Sequence, residues 1–139
     1  MELREASKAV MLAFVVVLLI SGVQLSSNRS QGVRNSPLAV MAHGHGMLLA
    51  FLFFVVHLDS RGQEFCAFCS KMVDVSHVLL AFGAILFFFA YHFAGLGVES
   101  FAGLGIRSFS VAAETSAVAG ACAYLVVAIL QALVCGVRE

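Results

Sequence analysis

The apolar positions of this chain gather into four long blocks rather than into alternating or amphipathic patterns. Ala9–Leu25, Leu38–Leu58, Val73–Gly97 and Ser110–Val134 are predominantly apolar, with polar residues only as short interruptions of one to three positions. A hydrocarbon core of roughly 30 Å takes about 20 apolar residues per helix, so each block predicts one membrane-spanning helix. A transmembrane barrel needs short segments of alternating polarity, which these blocks lack. The expected fold is therefore all-α, an integral membrane four-helix bundle: a single transmembrane domain over residues 1–139 with helices at about 9–25, 38–58, 73–97 and 110–134.

Composition agrees with that pattern. Of 139 residues 61% are hydrophobic and 12% charged, and the mean hydropathy of +0.99 is far from that of a soluble domain. Four spans use most of the chain and leave no room for a soluble catalytic domain. No catalytic residue is expected, and the expected partners are lipids and a larger membrane-protein complex, not nucleic acid. The first block follows Arg4 and Lys8 as a signal peptide would, but its small-residue cleavage pattern is poor and it reads as a retained helix.

Charge sets an orientation. Arg4, Lys8, Arg61, Lys71 and Arg138 share one side of the membrane, and Arg29, Arg34 and Arg107 the other. The side richer in Lys and Arg is expected to face the cytosol or matrix, with the N-terminus there. Asn28-Arg29-Ser30 then lies outside, where it matches a glycosylation sequon, a triplet that also arises by chance.

The connectors differ in chemistry. Ser26–Pro37 is polar and holds the single proline. The third connector carries a tandem octet, Phe93–Ser100 (FAGLGVES) and Phe101–Ser108 (FAGLGIRS), whose glycines suggest turns. Two copies of eight are too few for a repeat fold, so a local duplication is the plainer reading. In the last block Ala112, Ser116 and Gly120 recur every four residues beside Ala113, Ala117 and Ala121. Small residues at that spacing let helices approach closely in lipid, which marks a packing face. Glu114 near its start either lies at headgroup level or pairs with a histidine or a partner chain, because an unpaired carboxylate at membrane depth costs several kcal/mol.

All five histidines belong to the second and third blocks: His43, His45 and His57, then His77 and His92. At 100° and 1.5 Å per residue, His43 and His57 are roughly 21 Å apart along the axis and about 40° off one face. His77 and His92 are similarly placed, about 22 Å and 60° apart. Because the two helices run antiparallel, His57 and His77 share one membrane level, and His43, His45 and His92 the other. Paired imidazoles on facing helices are what bis-histidine haem b requires, either at both levels or only between His92 and His43 or His45. The competing reading is that the histidines make structural hydrogen bonds alone.

Cys66-Ala67-Phe68-Cys69 is a CxxC in the second connector. His57 and His77 flank it, so a Cys2His2 zinc site is one reading. A redox thiol pair is another, and free thiols facing a reducing compartment are the third. Cys122 and Cys135 read as small packing residues.

Two short motifs carry family resemblances. AHGHGMLL (Ala42–Leu49) and AYHFAGLG (Ala90–Gly97), followed by a last helix, resemble the cytochrome b membrane-anchor subunit of succinate dehydrogenase. That resemblance implies haem b ligated by His92 and electron relay toward quinone, in the mitochondrial inner membrane. His43 placed before Met47, the Tyr91-His92 pair and the glutamine-containing stretch YLVVAILQALVCG are similar to the ascorbate-reducible transmembrane cytochromes b, which again implies His92 as a haem ligand. The leading expectation is thus a small membrane subunit of a redox or respiratory assembly. Its alternatives are a cofactor-free accessory subunit, packed against larger chains through the small-residue face, and a membrane thiol oxidoreductase using Cys66 and Cys69.

Overall fold

The computed structural model describes residues 2–95, 97, 100–101 and 103–136; the side chains of Leu38, Tyr91, Ala94, Gly95, Ser100, Phe101, Cys135 and Gly136 lie outside that description, as does the packing role expected of Cys135. Four helices follow one another: α1 (Glu2–Ser30), α2 (Pro37–Ser60), α3 (Ala67–Gly95) and α4 (Ile106–Gly136). Each is long and apolar enough to cross a membrane. The chain is an integral membrane four-helix bundle.

The helices outrun their apolar blocks, because a helix need not end where the hydrocarbon does. α1 starts at Glu2 rather than near Ala9, through residues of good helix propensity with Glu2 and Glu5 in the first turn, where acidic groups complement the helix dipole. Pro37 opens α2 at a position where its missing N–H is no loss. α3 starts at Ala67, ahead of Val73, with Cys66 as the residue that precedes it. Between α3 and α4 lies a two-stranded antiparallel ladder, β1 (Ser100–Phe101) with β2 (Leu104–Gly105). Gly97 and Gly103 there adopt φ of 70° and 77°, the left-handed turn conformation that the octet glycines suggest.

Packing centres on α3, which contacts all three other helices. Met11, Phe14 and Leu18 of α1, Leu49 and Phe53 of α2, Leu80, Ala84 and Phe87 of α3, and Ala113 and Ala117 of α4 form one buried cluster. Lipid is as apolar as these side chains, so close fit rather than exclusion of water holds the helices together. The α4 small-residue face supplies that fit, and its partner is α3. Ser116 Oγ donates to Leu79 O at 2.6 Å, and Ser76 Oγ donates to Gly120 O at 2.7 Å. A Cβ on Gly83 would come within 3.0 Å of Ala113 O. Gly46 does the same for α2 against α1, since a Cβ there would meet Leu18 Cδ2 at 2.8 Å and Phe14 Cζ at 3.0 Å.

A polar clasp joins α1 to α3 at the opposite end from Gly46. Arg4 Nε donates to Asp74 Oδ1 at 2.5 Å, and Nη2 reaches Ser70 O at 3.1 Å and Ser70 Oγ at 3.0 Å. Arg4 and Asp74 are about four-fifths covered. Arg4→Ala leaves that carboxylate without its partner, and the expected loss is about 1–3 kcal/mol. Denaturant unfolding in detergent reads it, and an unchanged midpoint would mean that the clasp contributes nothing.

Candidate functional site

Polar side chains inside a spanning bundle are expensive unless paired, so each one identifies a contact worth naming. At the end where α1 finishes and α2 begins, His43 and His45 are two residues apart and therefore about 200° apart around α2. They turn to different helices. His43 Nδ1 lies 2.8 Å from Ser21 Oγ, whose hydrogen bonds to Leu18 O at 2.8 Å. With that hydroxyl proton already engaged, the proton of the Ser21–His43 contact belongs to the imidazole, and Ser21 Oγ accepts it. The ring sits so close that a Cβ on Gly22 would come within 3.1 Å of His43 Cε1.

His45 turns the other way, to α4. Its Nδ1 stands 2.6 Å from Glu114 Oε1, and both side chains remain nearly half exposed on the outside of the bundle, 45% and 44%. Phe87 of α3 lies behind His45 with its ring edge-on at 6.2 Å. The pair forms one wall of a groove of about 400 Å³ between α2 and α4, otherwise lined by Leu48, Leu52, Val118, Cys122 and similar apolar residues. One polar, hydrogen-bonded corner in an apolar groove suits an amphipathic, ring-sized molecule. Glu114 thus pairs with a histidine, one of the partners its sequence position offered.

His57 and His77 meet at the other end. His77 is fully buried. Its Nδ1 donates to Val73 O at 2.8 Å, since a carbonyl can only accept. Nε2 of the neutral ring is then an acceptor, and His57 Nδ1 supplies the proton across 3.4 Å. Phe53 stacks on His57 and presents its edge to His77 at 5.3 Å between ring centres. This leaves His57 Nε2 as a lone pair beside a small pocket of about 210 Å³ with Arg4, Glu5, Lys8, Ser60 and Arg61 on its walls. Nearby, the Tyr124 hydroxyl donates to Asp59 Oδ2.

His92 is exposed, stacked on Phe88 of its own helix with ring centres 6.0 Å apart. The other half of the Tyr91-His92 pair falls outside the described side chains. Bis-histidine haem needs two imidazoles on opposite faces of one porphyrin. His43, His45 and His92 turn to three different neighbours, and His57 and His77 touch each other directly. The placements do not fit that ligation.

Cys66 is exposed, whereas Cys69 is buried; neither is bridged. The Cys69 backbone N–H donates to Cys66 Sγ at 3.3 Å, and this hydrogen bond lowers the Cys66 thiol below its ordinary value. His57 and His77 pair with each other and form no cluster with Cys66 and Cys69, so the Cys2His2 set is not assembled. Among the described residues no group of three or more His, Cys, Asp or Glu side chains is placed to hold a metal ion.

Comparison with protein-family models, curated proteins and solved structures finds no match. Sequence reasoning missed Arg4 and Ser21 as partners, because their contacts lie 70 and 22 residues away in the chain. Asp74 carried the available signal: a lone carboxylate in an apolar block must find a cation or a donor.

Proposed function

We propose that this chain is a small redox subunit of a larger membrane assembly, and that its groove between α2 and α4 receives the ring of a lipid-soluble quinone. The observation that carries the reading is the His45–Glu114 pair, held at 2.6 Å in the wall of an otherwise apolar groove that opens on the outside of the bundle. A quinone carbonyl accepts hydrogen bonds, and its reduction takes up protons with the electrons. An imidazole hydrogen-bonded to a carboxylate can both donate to that oxygen and be reprotonated through its partner. Leu48, Leu52 and Val118 supply the apolar contact for ring and tail. The electrons come from a partner subunit, which docks on the outer faces of α1 and α4, because the small-residue face of α4 is already covered by α3. The host is a quinone-bearing membrane, with the mitochondrial inner membrane the favoured one.

The test is equilibrium binding of a short-chain ubiquinone analogue to the full chain in lipid nanodiscs. Charge-assisted hydrogen bonds are worth about 1.5–3 kcal/mol, so His45→Ala and Glu114→Ala are each expected to weaken binding about 10- to 100-fold. His92→Ala, away from the groove, should leave it unchanged. Absence of saturable binding by the wild-type chain would overturn the reading and favour a cofactor-free accessory subunit.

A further inference from the structure

The CxxC lies at the opposite end of the bundle from the His45–Glu114 groove, and its geometry makes an independent case. Cys66 immediately precedes α3 and acts as its N-terminal cap through sulfur: Sγ accepts the Cys69 N–H at 3.3 Å, while its carbonyl accepts Ser70 N–H at 2.8 Å. A cap sulfur is aimed at the free N–H groups of the first turn, where partial positive charge collects and a thiolate is stabilised. That turn of α3 contains no acidic residue to offset the effect. The Arg4 guanidinium, paired with Asp74, is bonded to Ser70 in the same turn and lies 6.0 Å from the centre of the Phe65 ring.

The two sulfurs are not equivalent. Cys66 is exposed, and Cys69 is 8% exposed, packed with Val73 and Val127. Residues three apart in a helical turn have Cβ atoms about 5–6 Å apart, and a disulfide draws them to about 3.8 Å. A small adjustment at the helix start therefore closes the bridge. An exposed, stabilised thiolate backed by a buried second thiol is the arrangement in which one sulfur attacks and the other resolves.

We propose that Cys66 and Cys69 are a redox-active dithiol that reduces small-molecule disulfides of the glutathione class at this face of the membrane. The Cys66 thiolate attacks one sulfur of the substrate disulfide; a Cys66–substrate mixed disulfide forms and one substrate thiolate leaves, taking a proton from solvent. Cys69 loses its proton and attacks the Cys66 sulfur, releasing the second substrate thiolate. Two protein thiols are oxidised to one disulfide, and one substrate disulfide is reduced to two thiols. Two glutathione thiols then reduce the Cys66–Cys69 disulfide and leave joined as oxidised glutathione, so the net reaction is exchange between glutathione and a different small-molecule disulfide.

The full chain in nanodiscs, with Cys122→Ser and Cys135→Ser to remove the other thiols, is equilibrated with glutathione buffers of graded ratio. It is then acid-quenched and labelled with a maleimide for mass spectrometry. Both thiols should disappear together in one two-electron transition, without a stable adduct. Cys69→Ser should accumulate one glutathione on Cys66, whereas Cys66→Ser should leave Cys69 at least about tenfold slower to react because it is buried. An unchanged elution volume shows that each variant is folded, and keeps this test separate from the groove reading. Independent titration of the two thiols, failure of Cys69→Ser to form the adduct, or one zinc ion per chain protecting both thiols would each overturn the proposal.

Discussion

Gly120→Leu is expected to destabilise the bundle by about 3 kcal/mol or more, because overpacking a close helix contact costs about 1–3 kcal/mol and occasionally more, and Leu adds several atoms where not even one fits. At Gly120 a Cβ alone would stand 3.0 Å from Leu80 Cγ, 3.1 Å from Ser76 O and 3.2 Å from Leu79 Cβ. Two of those atoms belong to the α3 backbone or sit directly on it, so they cannot swing aside. Separating the helices also breaks the 2.7 Å bond from Ser76 Oγ to Gly120 O, worth about 0.6 kcal/mol by the average for such bonds in membranes. Gly44→Leu is the matched control, because nothing lies within 4 Å of a Cβ there. Its stability should stay within about 0.5 kcal/mol of wild type. Unfolding in mixed detergent micelles measures both, and equal midpoints for the two variants would contradict the α3–α4 packing.

His77→Ala ranks second, with an expected loss of about 2–4 kcal/mol. The ring is fully buried, and its removal leaves a cavity against Phe53 together with an unpaired His57 N–H, while the Val73 carbonyl keeps its backbone partner in α3. His57→Ala should cost less, because that side chain is only partly buried. A double-mutant cycle on the pair should return a coupling of about 0.5–1.5 kcal/mol, and strict additivity would mean that the ring-to-ring hydrogen bond is not formed.

The histidines illustrate how far linear spacing reaches. Placing His57 and His77 at one membrane level required only the helical rise and an antiparallel turn, and the two rings do meet. Spacing also put His43 and His45 on different sides of α2. It did not say what they would face. The haem reading needed His92 to turn inward across from His43 or His45, and in the structure it lies outward along Phe88. Glu114 was visible as an anomaly in an apolar block, yet its partner depended on how α4 sits beside α2.

What the sequence determined by itself was the number, order and approximate extent of the spans, because a bilayer demands about 20 continuous apolar residues from every helix that crosses it. It also determined which residues were small enough for close contact, but it put the CxxC in the second connector, whereas α3 begins at Ala67 and takes in Cys69. Tertiary structure alone decided how each helix is rotated about its axis. In lipid, inward and outward faces are equally apolar, so hydrophobic pattern carries little information about rotation. Close fit at Gly46, Gly83 and Gly120 fixes those rotations, and with them the pairings of Arg4 with Asp74, Ser21 with His43, and His45 with Glu114.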